Sequence, residues 1–193
     1  MDDRRGAKHR RGHYRVLLLT SSHVRTIGGD GTEEQWTPWP AWVNGGPVMA
    51  RAGRVFEVEN PHLETVLARV TRFDADDVDQ AVVSARKAFD TGDWPRASAT
   101  ARGKVLLALA AEIRAQADEL ARWEMRQVGK PIRDALGEVQ AAANCFEFYA
   151  GAANKVYGHT IPVSAAGLDF TERIPLGVVA LIVPWNFPLL IAA

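Results

Sequence analysis

Cysteine is almost absent from this sequence, because Cys145 is the single thiol in 193 residues. An internal disulfide is therefore excluded, and no metal site can be built from cysteines alone. This usage suits a reducing compartment, so we expect a cytoplasmic protein. Long apolar runs are also missing. Residues 178 to 183 form an unbroken apolar run that is far shorter than the roughly 20 residues of a membrane-spanning helix. Residues 16 to 19 are too few for a signal-peptide core of roughly 7 to 15 residues.

Neither sign of charge is in excess, since 23 Lys and Arg residues balance 23 Asp and Glu residues. The chain has no global field that would attract nucleic acid or an anionic membrane, and we expect neither as a partner. The basic residues nevertheless cluster near the start, as Arg4, Arg5, Lys8, Arg10, Arg11 and Arg15. A nucleic-acid-binding arm is the alternative interpretation, and it depends on this one short run.

Regular periodicity is missing from residues 1 to 40, which we predict to be a poorly ordered basic tail. His9 and His13 have the spacing of metal ligands on a helix, but the neighbouring cationic side chains would repel a metal ion. We therefore predict no metal site.

From Trp42 onward the sequence predicts short strands followed by helices. Trp42 and Val43 lead into Asn44-Gly45, a strong hairpin signal. Residues 55 to 59 alternate apolar and acidic side chains, as a half-buried strand does, and residues 65 to 70 supply a returning strand.

Three amphipathic helices are expected next, and they favour a layered α/β fold. Asp74 is a candidate N-cap for the first helix, which Gly92 ends, and Ser98 is a candidate N-cap for the second. The third begins at Pro131. The second and third helices have apolar stripes formed by Leu106, Leu109, Ile113, Ala117 and Leu120, and by Ile132, Leu136, Val139, Ala143, Phe146 and Ala150. On their polar faces we expect Glu124, Glu138 and Glu147 to be solvated, and Cys145 to be a small buried apolar side chain.

The GKP run at residues 129 to 131 is predicted to be a corner between helices. It is not a phosphate-binding loop, because that motif needs a glycine where Glu124 stands and Ser or Thr where Pro131 stands. After the third helix, residues 157 to 163 and 168 to 175 predict a hairpin with a turn at 164 to 167. His159 falls within it, and we interpret it as structural.

Residues 178 to 183 predict a strand that is buried on both faces. Pro184 ends it and Pro188 restricts the residue before it, so Trp185 and Asn186 lie on a stiff loop. In open α/β sheets, ligands bind beyond the carboxyl ends of the strands. The alternative is that Asn186 has a purely structural role and forms an Asx-type turn.

The sequence PLGVVALIV at residues 175 to 183, followed by PWNFP at 184 to 188, closely resembles the aldehyde dehydrogenase superfamily. WVNG at 42 to 45, FEVENP at 56 to 61, TVLARV at 65 to 70 and GKP follow the same family order. The resemblance covers about residues 42 to 193. It implies an NAD(P)-dependent oxidation of an aldehyde to a carboxylic acid.

The resemblance also implies how the chain is divided. Residues 41 to 155 would be the N-terminal part of a Rossmann-like cofactor-binding domain, and residues 174 to 193 the start of its nucleotide-binding sheet. Residues 156 to 173 would be a protruding β-hairpin arm that joins subunits into a homo-oligomer.

By the same resemblance, Asn186 is the catalytic oxyanion donor, and Ile182, Val183, Pro184 and Trp185 line the site of NAD or NADP. A neutral amide suits the first role, because it stabilises negative charge on the former carbonyl oxygen without titrating. Gln127 and Val128 depart from the family, which usually has an acidic residue followed by a small or polar one there.

In the family, the catalytic cysteine, the general-base glutamate, the residues that sort NAD from NADP and a glycine-rich turn all follow PWNFP. None of these lies within the 193 residues. We therefore expect an N-terminal portion that is inactive alone and, without the strands that should flank residues 178 to 183, marginally folded. The alternative function is a non-catalytic binding or assembly fragment.

Overall fold

A computed structural model describes residues 37 to 164 and 166 to 193. The predicted tail therefore lies mostly outside the described residues, as do His9 and His13. Its predicted end at residue 40 is too late, because Trp39 already forms a parallel bridge with Val70. The Trp39 amide donates to the Arg69 carbonyl at 2.8 Å, and the Thr71 amide donates to the Trp39 carbonyl at 2.9 Å.

Two antiparallel hairpins open the fold, as the sequence predicts. Strands β1 (Ala41–Val43) and β2 (Gly46–Val48) pair across Asn44 and Gly45. Both turn residues have positive φ, 53° and 77°, which is the backbone that an Asn-Gly turn provides. Strands β3 (Val55–Asn60) and β4 (Thr65–Thr71) form the second hairpin.

Five helices follow. They are α1 (Ala75–Thr91), the single turn α2 (Asp93–Arg96), α3 (Ala99–Ala115), α4 (Ala117–Val128) and α5 (Ile132–Ala152). The predicted N-caps are confirmed: Asp74 forms a capping box with Asp77, and the Ser98 hydroxyl accepts from the Ala101 amide. Secondary structure of both kinds confirms the α/β class.

The predicted second helix is in fact two helices. Gln116 leaves helical geometry at φ −110° and ψ 20°, and α4 starts at the next residue. No glycine or proline marks this break, so the periodicity alone ran through it. The corner at GKP is confirmed: Gly129 ends α4 in the left-handed conformation at φ 80°, and α5 begins after Pro131.

The hydrophobic core lies between α3, α4 and α5. Its buried members are Ala110, Ile113, Ala121, Ala135, Val139 and Ala143. Four of these six are alanine, so the helices approach closely. Gly103 of α3 is an example, because a Cβ there would stand 2.8 Å from the carbonyl oxygen of Ala150 on α5.

Strands β5 (Thr160–Ile161) and β6 (Asp169–Phe170) form the predicted hairpin, which is short and exposed. His159 belongs to its backbone ladder, where its carbonyl oxygen accepts from the Thr171 amide at 2.9 Å. Leu168 and Phe170 are exposed. The role of this hairpin as an oligomerisation arm stays a prediction.

The prediction of a buried strand at residues 178 to 183 is wrong for this chain. The segment is neither helix nor strand, and Val179, Leu181 and Ile182 are exposed. A strand exists only where a neighbouring strand pairs with its backbone, and no strand of the described residues pairs with residues 178 to 183. Across the described residues, no helix is both long and apolar enough to cross a membrane.

Candidate functional site

Trp185 and Asn186 form a turn that leads into α6 (Pro188–Ala192), a short helix with Pro188 at its start. Leu189 of α6 packs against the core between α3, α4 and α5. The predicted loop is therefore confirmed as a turn. A helix anchors it on the side that follows, but residues 178 to 183, directly before it, do not form a strand. Asn186 is half-buried, whereas the Trp185 side chain is exposed over 76% of its surface.

The loop is attached to the helices by Lys130, which the corner between α4 and α5 positions. The Lys130 ammonium donates to the main-chain carbonyl oxygen of Asn186 at 2.6 Å. It also donates to Glu124 Oε1 at 2.7 Å and to Glu138 Oε2. The ring of Phe187 lies beneath the same ammonium, with the centroid 4.8 Å from Nζ, within cation–π range.

These ionic groups are shielded from solvent. The side chain of Lys130 is 11% exposed and that of Glu124 is 4% exposed. The prediction that Glu124 and Glu138 are solvated is therefore wrong: the two carboxylates face a shared buried cation instead of water. Glu147 agrees with the prediction, because it is exposed and pairs with Arg114 at the surface.

Burial and mutual contact set the proton affinities of this cluster. Burial raises the pKa of Glu124, and its hydrogen bond to Glu138 raises the pKa further. Burial would also raise the pKa of Glu138, but hydrogen bonds to Glu124 and Lys130 outweigh it and the pKa is lowered. For Lys130, burial disfavours the charged form, yet the hydrogen bonds to both glutamates raise its pKa above the usual value. Lys130 is therefore a permanent cation near neutral pH.

The side-chain amide of Asn186 is unengaged. Its main-chain carbonyl is bonded to Lys130, but the side chain makes no hydrogen bond to residues 37 to 164 or 166 to 193. An Asx-type turn needs the Asn186 side-chain oxygen to accept from a nearby backbone amide. No amide of the described residues donates to it, so this alternative does not apply. The amide can therefore bind a ligand oxygen.

The other predicted site residues precede the turn in chain order. Ile182 is 93% exposed, Val183 is half-buried and Pro184 is exposed. Among the described residues, no backbone hydrogen bond involves 181 to 185. Their polar main-chain groups and the apolar Ile182 and Trp185 side chains are thus available to a ligand.

Sequence reasoning missed the Glu124–Lys130–Glu138 cluster. A signal was present, because Lys130 follows the C-cap glycine of α4 and has a glutamate six residues before it and another eight residues after it. Helical periodicity assigned both glutamates to polar faces. It could not show that a distant loop covers those faces.

A separate cavity of about 520 Å³ lies between the first strands and α4. Its walls include the aromatic rings of Trp39, Trp42 and Trp123 together with Leu120. None of residues 174 to 193 lines it, so it is distinct from the loop site. Cys145 is half-buried on α5.

Comparisons with known proteins agree on one family. A model of the aldehyde dehydrogenase family matches residues 48–193. The chain is 41% identical over 152 residues to the mitochondrial aldehyde dehydrogenase family 2 member B4 of Arabidopsis thaliana, an alignment that covers 78% of this chain and 28% of the relative. It is 40% identical over 151 residues to the NADP/NAD-dependent aldehyde dehydrogenase PuuC of Escherichia coli, covering 78% of this chain and 30% of that relative.

Solved structures give the same result. The NAD+ complex of an aldehyde dehydrogenase from Bacillus cereus superposes with a TM-score of 0.78 at 38% identity, over 81% of this chain and 32% of that chain. The chain thus spans about 30% of the length of the curated relatives that it matches. The family model covers well over half of the 193 residues, and the ordered motifs, the fold and the loop agree with it: the chain belongs to the aldehyde dehydrogenase family.

Proposed function

We propose that this chain is the N-terminal portion of an NAD(P)-dependent aldehyde dehydrogenase, which oxidises an aldehyde to a carboxylic acid. The observation that carries this function is the turn at Trp185 and Asn186. There the side-chain amide of Asn186 is unengaged, while the buried ammonium of Lys130 holds the main-chain carbonyl of the same residue. In this reaction, attack of a thiolate on the aldehyde carbon places negative charge on the carbonyl oxygen. The Asn186 amide N–H would stabilise that charge as the catalytic oxyanion donor.

The cofactor would be NAD or NADP, which accepts the hydride from the aldehyde carbon. Ile182, Val183, Pro184 and Trp185 fit this ligand, because two apolar side chains and several main-chain polar groups are open to it. The residues of this chain would bind and orient the cofactor beside the Asn186 amide.

The nucleophile of the proposed enzyme is not Cys145, which is half-buried in the middle of α5. The 193 residues alone are therefore expected to be inactive, and the activity belongs to the complete enzyme. We place that enzyme in the cytoplasm on the basis of its sparse cysteine.

The test replaces Asn186 in the full-length gene product. Asn186→Ala is expected to lower kcat for aldehyde oxidation by about 10² to 10³, the usual cost of one oxyanion donor, with KM changed little. Asn154→Ala is the matched control, since Asn154 is an exposed asparagine after α5. If the wild-type gene product oxidised no aldehyde, the proposed function would be refuted. Turnover by the 193-residue chain alone would refute our account of the nucleophile.

We also propose that residues 156 to 173 join subunits into a homo-oligomer. The exposed apolar side chains of Leu168 and Phe170 support this, as does the short ladder of the β5–β6 hairpin, which pairs two residues of each strand. A non-catalytic assembly role of the fragment would use the same hairpin. Leu168→Asp is expected to lower the molar mass that light scattering measures, and an unchanged mass would argue against the arm.

A further inference from the structure

Lys130 uses the full hydrogen-bonding capacity of its side chain in one place. An ammonium group carries three N–H donors and no acceptor. Its three oxygen partners are Glu124 Oε1, Glu138 Oε2 and the main-chain carbonyl of Asn186. Glu124 lies on α4 and Glu138 on α5, so the third bond connects two packed helices to the loop.

The strength of this connection follows from its charge and its burial. A hydrogen bond from a charged donor is roughly twice as strong as a neutral one. The ammonium is largely shielded from water, which makes each of its bonds stronger than at the surface. The Phe187 ring, 4.8 Å from Nζ, extends the restraint to the residue after Asn186.

The Asn186 side chain has no comparable restraint of its own within residues 37 to 164 and 166 to 193. The position of its amide therefore depends on its main chain, and Lys130 holds the main-chain carbonyl. In catalysis a misplacement of about 1 Å costs on the order of 10²-fold in rate. A contact that holds this carbonyl should consequently act on the rate of the chemical step.

We propose that Lys130 is the positioning residue for the Asn186 amide, with Glu124 and Glu138 holding its ammonium in place. The proposal rests on the proposed function, because it concerns the geometry of the oxyanion donor. Lys130 acts through Asn186 and does not itself touch the substrate. Arginine cannot replace it, since a planar guanidinium does not match three acceptors arranged around a tetrahedral ammonium.

The experiment compares Lys130→Met and Lys130→Arg with wild type in the full-length gene product. Both variants are expected to lower kcat by about 10- to 100-fold, with KM for NAD within about 2-fold, because the lost interaction concerns the transition state. Lys155→Met is the matched control. Lys155 is exposed and also donates to a main-chain carbonyl, that of Gly151, and its loss is expected to change kcat by less than about 2-fold.

A double-mutant cycle separates positioning from a general structural role. If Lys130 acts through Asn186, the double variant Lys130→Met/Asn186→Ala is expected to be no slower than Asn186→Ala alone. Independent effects that multiply would overturn the proposal. The proposal would also be overturned if Lys130→Met kept the kcat of the wild type while Asn186→Ala was slow. That result would leave the proposed function intact. If the wild-type enzyme oxidised no aldehyde, both the positioning role of Lys130 and the proposed function would be refuted.

Circular dichroism of each variant shows whether it folds. Should Lys130→Met fail to fold, Glu138→Gln replaces it in the cycle, because the amide keeps an acceptor for Lys130 but removes one charge. This variant is expected to lower kcat by about 3- to 10-fold, again without further loss in the Asn186→Ala background. Full activity of a folded Glu138→Gln, or multiplicative loss, would then overturn the proposal.

Discussion

Two parts of this molecule are similarly apolar in sequence but differ in how they bury their side chains. The first is the helical layer of α3, α4 and α5, where Val139 and Ala143 are fully buried. The second is the terminal segment, residues 156 to 187, where Leu176 and Ile182 are each 93% exposed. A helix satisfies its own backbone, so it forms once one face is covered. A strand needs a neighbour for its backbone as well as its side chains, and the terminal segment has little of either.

The same new charge in each region gives the largest expected contrast. Val139→Asp places an unpaired carboxylate among α3, α4 and α5 and is expected to cost more than about 4 kcal/mol of unfolding free energy. Leu176→Asp, in the terminal segment but outside the proposed subunit arm, is expected to change it by less than about 0.5 kcal/mol, because Leu176 is 93% exposed. Urea-induced unfolding of the full-length gene product measures both. A large loss from Leu176→Asp would show that this part of the terminal segment is packed after all.

Two helical glycines test the close approach within the helical layer. Gly103→Ala would set a Cβ 2.8 Å from the Ala150 carbonyl oxygen, and the forced shift of α3 against α5 is expected to cost about 1 to 3 kcal/mol. Gly137→Ala on α5 meets no atom within 4 Å and is expected to stabilise the helix by about 0.5 to 1 kcal/mol. The same unfolding measurement compares them. Equal effects at the two positions would contradict the tight packing of α3 on α5.

The two glutamates beside Lys130, where the regions meet, should show opposite pH dependences. The raised pKa of Glu124 contributes stability below its ordinary value of 4.5, and this contribution is lost as the pH rises through the raised pKa. The lowered pKa of Glu138 contributes stability above 4.5, and this is lost as the pH falls through the lowered pKa.

Relative to wild type, Glu124→Gln should therefore become less unfavourable as the pH rises, and Glu138→Gln less unfavourable as the pH falls. Each change is expected to be at most about 1 kcal/mol, the net value of one hydrogen bond. Unfolding of both variants at a series of pH values on either side of 4.5 measures the slopes. Parallel slopes would contradict this prediction, because they would show that the pKa values of the two carboxyls are shifted in the same direction.

Local signals in the sequence were sufficient where a few neighbouring residues determine the structure. Asp74 and Ser98 as caps, the Asn44-Gly45 turn and the corner at Gly129 were all predicted correctly, because each depends on backbone geometry within one turn. The break at Gln116 carries no such local signal. The strand at residues 178 to 183 was predicted from its apolar pattern, which shows that a segment must be covered but not what covers it.

The candidate site shows the same limit. The motif around Asn186 identified the loop, and the structure has a turn there. The role of Asn186 as the oxyanion donor stays a prediction. The partner of that loop, Lys130, lies 56 residues earlier in the chain, and no pattern in the sequence connects the two. Only the packing of α4 on α5 brings Glu124 and Glu138 to the same ammonium.

That separation suggests an order of events for the folding chain. Closing a loop of this length costs conformational entropy, and the bond that offsets this cost needs the ammonium already held between two helices. We therefore expect the contact between Lys130 and the Asn186 carbonyl to form only after α4 and α5 have docked. The loop that identifies the family would then be among the last parts of this chain to take its final shape.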